Sequence, residues 1–173
     1  MNVRQAEARK SKIEKRASEL RAQLWPEVTD QSLWNRKQRK GFTTLPRTMP
    51  LILRIMDDLS NGKPISSVYV SLWGRVFDNC VVTINSPREM AFEAGFSGQR
   101  SESTWSSRIK ILCELGFIDT RPGASGPFTY ILIWNPYHVI KKYYKEKKVP
   151  QNQYNALFQR ALDIGASDLE DEI

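Results

Sequence analysis

Residues 86–134 decide the fold: SPREMAFEAGFSGQRSESTWSSRIKILCELGFIDTRPGASGPFTYILIW. The stretch opens on Ser86-Pro87-Arg88-Glu89. Serine before a helix accepts from an orphan backbone N–H, proline at the next position has no N–H to leave unpaired, and glutamate two further on reaches back to the serine N–H. A short helix is predicted to follow through Met90, Ala91, Phe92 and Ala94, stopping at Gly95. Phe96-Ser97-Gly98 makes a turn. A longer helix is predicted from about Ser101 to Leu115. At 100° per residue Trp105, Ile109, Leu112 and Cys113 fall within about a third of its circumference, which marks the buried side. Gly116 ends it. Phe117–Arg121 and Phe128–Trp134 are β-rich runs around a six-residue Pro-Gly-Ala-Ser-Gly-Pro loop, the pattern of a β-hairpin.

Working towards the N-terminus, Val81, Val82 and Ile84 fit one short strand. A helix capped by Thr44 or Thr48 is predicted through Leu59, with Leu51, Ile52, Ile55, Met56 and Leu59 on one face, and Ser60-Asn61-Gly62 closes it. Val68, Tyr69, Leu72, Trp73, Val76 and Phe77 predict a largely buried helix over 65–78. Residues 2–24 read as a helix whose apolar stripe (Ala6, Ile13, Ala17, Leu20, Leu24) is too thin to bury much alone. Three uses are open to it: a frayed arm, packing on a second copy, or ordering along DNA. A polar connector, 26–44, follows, with Trp25 and Trp34 as expected anchors to the body.

Towards the C-terminus, Asn135-Pro136 caps a tyrosine- and lysine-rich helix from Tyr137 to about Lys147. Pro150 breaks it, and a last helix over 151–164 turns Tyr154, Leu157, Phe158, Ala161 and Leu162 inward. The expected organisation is a basic helical arm and linker (1–44), a central domain (45–134), C-terminal helices (135–164) and an acidic, disordered tail (165–173). The fold class is mainly α with a small β-hairpin, an α+β architecture.

Charge is distributed unevenly along the 173 residues. Residues 1–40 carry 11 basic and 5 acidic side chains, 41–120 carry 8 of each, 121–150 carry 6 and 1, and 151–173 carry 1 and 5. Two basic blocks thus flank a neutral middle. Such blocks serve solubility or bind a polyanion, either nucleic acid or an anionic surface. No run of about 18 apolar residues exists to span a membrane. The opening MNVRQAEARKSKIEK lacks the apolar core of a secretory leader. A cytoplasmic protein is expected, with Cys80 and Cys113 as buried free thiols.

The order helix, helix, short strand, capped short helix, turn, longer helix, hairpin resembles the winged helix-turn-helix superfamily. So does the phrase RIKILCELGFIDTRPGASG at 108–126. The resemblance covers 45–134, a little over half the chain, and extends to regulators and replication initiators of bacterial mobile elements, with no particular family assigned. It implies a helix lying in the DNA major groove and a hairpin touching the adjacent backbone. The expectation is a non-enzymatic, sequence-specific double-stranded DNA-binding protein of the nucleoid, acting in transcription or plasmid replication, with a homodimer as one arrangement. A winged-helix adaptor for a protein partner is the rival.

The residues supply chemistry of that type. With Trp105 inward, Arg100, Ser103, Ser107 and Lys110 lie on the opposite side of their helix. Arginine reads guanine with two hydrogen bonds, serine contacts bases or phosphates, and Gln99, just before the helix, suits adenine. Thr104 and Arg108 flank this face within reach of phosphates. Glu102 and Glu114 would repel phosphate at either end. An ordinary solvated helix is the bland alternative. In the hairpin, phosphate contact would rest on Arg121 and Ser125. Backbone contacts are also expected from the densest cationic cluster, Arg36, Lys37, Arg39 and Lys40, and from Lys141, Lys142 and Lys145. The alternative for the last three is plain solvation, with the neighbouring tyrosines packed on the body.

Other chemistry finds little support. His138, the one histidine, cannot belong to a multi-histidine metal site, and the two cysteines lack zinc-ligand spacing. The GASG of the hairpin lacks the strand-turn-helix of a phosphate-binding loop. Glu114, Asp119 and Arg121 faintly resemble a nuclease metal centre, but lysine is usual where Arg121 stands. No catalytic residue, metal or cofactor is expected.

Overall fold

The computed structural model describes residues 3–171, which divide into two compact units between Phe42 and Thr43. The first contains helix α1 (Val3–Leu24) and a single 3-10 turn at Asp30–Ser32. Arg21 bonds Asp30 at 2.7 Å, and Trp34 packs edge-on against Phe42. Trp25 and Trp34, the expected anchors, are both exposed.

The second unit holds α2 (Met49–Leu59), α3 (Ser66–Trp73), β1 (Val81–Thr83), α4 (Pro87–Glu93), α5 (Ser101–Glu114), β2 (Ile118–Gly123), β3 (Gly126–Ile133), α6 (Pro136–Lys145) and α7 (Gln151–Ile164). It is mainly helical with one small antiparallel sheet ordered β1-β3-β2. Val82 pairs with Ile131, and Ile118 with Ile133, so these four β-branched side chains, drawn from all three strands, share the face turned to the helices. That face meets Tyr69 and Leu72 of α3, Met90 of α4 and Trp105, Ile109 and Leu112 of α5 in one buried cluster. No helix among the described residues is long and apolar enough to cross a membrane.

Local signals place most helix ends. Ser86 Oγ accepts from Glu89 N at 3.3 Å, and Asn135 Oδ1 accepts from Tyr137 N at 3.0 Å. Thr48 precedes α2, but its buried hydroxyl hydrogen-bonds the Tyr137 hydroxyl of α6 and does not cap the helix. Thr44 accepts through its carbonyl from Trp73 Nε1.

The start of α3 is held by a carboxylate from the preceding helix. Asp57 Oδ1 accepts from the backbone N–H groups of Ile65 and Ser66 at 2.7 and 2.8 Å, and its Oδ2 accepts from Ser66 Oγ at 2.6 Å. Three bonds to one ionised group outweigh an ordinary cap. Asp57→Ala is expected to cost about 2–3 kcal/mol, read from the urea midpoint, with Asp57→Asn intermediate. An unchanged midpoint would show that the α2–α3 corner is held by apolar packing alone.

Several expectations are corrected. The helix predicted over 65–78 stops at Trp73, and Phe77 is 82% exposed. Leu162 faces outward, and Cys80 is exposed, at a positive φ of 57° before β1. Both cysteines are free, and only Cys113 is half-buried. The hairpin has no six-residue loop: pairing runs to Gly123 opposite Gly126, so Ala124-Ser125 make a tight turn. The acidic tail, expected to be disordered, lies on the body as far as residue 171, with Leu169 3% exposed and Asp168 accepting from Asn135 Nδ2 at 2.8 Å; 172 and 173 lie outside the described residues.

Candidate nucleic-acid interface

Helices α4 and α5 are joined by a turn that needs two left-handed residues. Gly95 and Gly98 have φ of 87° and 81°, a region where a side chain is strained. Phe96 N donates to Ala91 O at 2.9 Å, closing the end of α4, and Ser101 N donates to Gly98 O at 3.2 Å, opening α5. The turn thereby leaves Gln99 and Arg100 exposed ahead of the longer helix.

The phase of α5 is fixed by Trp105, Ile109 and Leu112, all fully buried. Opposite them Arg100, Ser103 and Lys110 are exposed and Ser107 is half-buried. These four span about 15 Å at 1.5 Å per residue. The Arg100 guanidinium has no intramolecular partner among the described residues, whereas Ser103 Oγ donates to the Arg100 carbonyl at 2.9 Å. Thr104 and Arg108 flank the face half-buried, and Arg108 Nε is shielded from solvent without a hydrogen-bond partner among the described residues. Glu102 and Glu114 are exposed on the same helix.

The hairpin contributes less. Arg121 Nη1 bonds Asp119 Oδ1 at 2.9 Å and the Thr120 carbonyl at 2.8 Å, so its charge is largely answered within the strand. Ser125 Oγ donates to Ile84 O at 2.6 Å, tying the hairpin tip to the end of β1. That hydroxyl is a structural clasp. Arg36, Lys37, Arg39 and Lys40 are exposed in the first unit, in a turn closed by Arg39 N on Asn35 O at 2.9 Å.

The lysines of α6 lie elsewhere. Lys141, Lys142 and Lys145 line a groove of about 600 Å³ together with Trp134, His138 and Val139. Lys141 Nζ donates to Asp171 O at 2.5 Å, and His138 Nε2 lies 2.8 Å from Asp171 Oδ2. Glu146 is paired with Lys148 at 2.7 Å, which holds its carboxyl below the usual range. Lys148 also sits over the Tyr143 ring. Trp134, 49% exposed, was not among the expected site residues. Its signal is the alternation of FTYILIW: with Ile131 and Ile133 inward, Trp134 follows on the outward side.

Among the described residues no group of three or more His, Cys, Asp or Glu is placed to hold a metal ion. Burial pushes the Cys113 thiol above its ordinary value, which suits a packing role. No protein-family model, curated protein or solved structure matches the chain.

Proposed function

We propose that the chain is a winged helix-turn-helix protein that binds double-stranded DNA sequence-specifically and regulates transcription or replication on a bacterial mobile element. The carrying observation is the outward face of α5. It presents Arg100, Ser103, Ser107 and Lys110 on a helix set by a two-glycine turn, while Trp105, Ile109 and Leu112 on the opposite side are fully buried. An order of two helices, strand, helix, turn, helix and hairpin, with β1 paired to β3, is compatible with that fold. In the proposal α5 lies in the major groove, Gln99 and Arg100 read base edges, and Thr104 and Arg108 stay near the backbone. The cationic arm adds affinity through phosphates. A homodimer reading two half-sites in the cytoplasm is part of the proposal.

A second reading, a protein-interaction adaptor, is favoured by one observation: Phe77 and Phe92 stand 82% and 78% exposed on the same unit. Exposed aromatics are more useful to a protein partner than to a phosphate backbone.

Arg100→Ala discriminates. On the preferred duplex it is expected to cost about 1–3 kcal/mol and to relax preference at one base pair, with little change on unrelated duplexes. Titrations against both duplexes read this out. Unchanged affinity and preference would remove α5 from the readout role.

A further inference from the structure

The groove between the end of β3 and α6 has the chemistry of a peptide site. Its floor is apolar, with Trp134 and Val139, and its rim is cationic, with Lys141, Lys142 and Lys145 beside His138. At about 600 Å³ it falls within the range of formed ligand pockets. Glu146 also lines it, but is answered by Lys148. The rim already holds peptide acceptors from this chain: Asp171 presents its carboxylate to His138 and its main-chain carbonyl to Lys141.

Its position separates it from the proposed DNA face. Gly116, just past the C-terminal end of α5, lines the groove, so the site lies about 20 Å along that helix from Ser101. Trp134 follows the end of β3 remote from the hairpin tip, about 26 Å from Gly126 at 3.3 Å per residue. The groove thus lies at the far end of both elements from Arg100 and the hairpin tip.

We infer that this groove docks an acidic peptide segment of a partner protein, an aliphatic or aromatic side chain resting on Trp134 and carboxylates meeting Lys141 and Lys142. The chain's own Asp171 occupies part of the rim and competes with the partner. Charge complementarity selects the occupant, because lysines around an apolar floor favour an acidic segment with an apolar anchor over a neutral or basic one. The inference does not rest on DNA binding, and either can fail alone.

The test is anisotropy of a fluorescein-labelled peptide with the sequence of residues 166–173, Ala-Ser-Asp-Leu-Glu-Asp-Glu-Ile, titrated with the full chain. Asp171→Ala in the protein, which removes the competing carboxylate at His138 while keeping the main-chain carbonyl at Lys141, is expected to tighten binding about three- to tenfold. Trp134→Ala and Lys142→Ala, each with an unchanged melting temperature, are expected to weaken it at least about tenfold. A peptide with amides in place of its carboxylates is expected not to bind. A random duplex is expected not to displace the acidic peptide. The inference is overturned if the acidic peptide binds neither the wild type nor the Asp171→Ala chain, or if binding ignores Trp134 and Lys142. Equal binding of the amide peptide, or displacement by duplex, overturns it too, the last by showing that the lysines serve phosphates.

Discussion

Trp105→Ala is expected to remove about 3–5 kcal/mol of folding stability, the usual cost of emptying an aromatic's place in a core. Trp105 is 0% exposed, on the stripe it shares with Ile109 and Leu112, and its ring meets Phe128 edge-on with centroids 6.2 Å apart. It joins α5 to the strand that carries the hairpin, so its loss loosens both. A domain of this size holds about 5–15 kcal/mol, and the urea midpoint should fall by a large fraction. Trp105→Phe should cost much less: it keeps most of the ring packing and removes an indole N–H that has no partner among the described residues. Duplex binding at low temperature, where the variant is still folded, should persist. A variant that melts like the wild type but loses DNA would contradict the orientation of α5 and remove Arg100, Ser103, Ser107 and Lys110 as the contact set.

Deleting residues 1–40 is expected to flatten the salt dependence of DNA binding while leaving the preferred sequence unchanged. Those residues carry 11 of the 26 basic side chains and a net charge of +6. Each phosphate neutralised contributes about 0.9 to the slope of log K against log salt, so the slope should fall by up to about 5. Among the described residues every member of the buried core lies between Met49 and Leu169, so the deletion leaves that core whole. Full-length and shortened chains titrated at several salt concentrations give the answer. An unchanged slope with loss of self-association would make α1 an oligomerisation helix instead.

What was legible in the sequence had a local cause. The Ser86-Pro87-Glu89 cap, the Trp105 stripe and the two β-rich runs each depend on neighbours within a few residues; α4 and α5 stand where they were expected, and the hairpin strands cover most of both runs but extend two residues further on each side into the predicted loop. The exposure of Arg100, Ser103 and Lys110 followed because one buried tryptophan sets the phase of the whole helix. What was not legible depended on distant partners. Ser125 reads as an exposed loop hydroxyl until the carbonyl of Ile84, 41 positions earlier, accepts its hydrogen bond. Lys141 reads as a solvated cation until Asp171 arrives from the tail. Phe77 has helical spacing, but Gly74 follows the last turn of α3 and the chain leaves the core, which apolar character alone cannot prevent. The tail, acidic in composition, is held by buried Leu169 together with Asp168 and Asp171, whose partners Asn135, His138 and Lys141 lie 30 to 33 positions earlier.

The most direct measurement of the central claim is a selection of the purified full chain against a pool of random duplexes at about 150 mM salt. The account predicts enrichment of one defined motif, bound at least about a thousandfold more tightly than random duplex, with that preference relaxed at one base pair by Arg100→Ala. A pool that emerges without a motif, bound no better than the starting mixture, would contradict it.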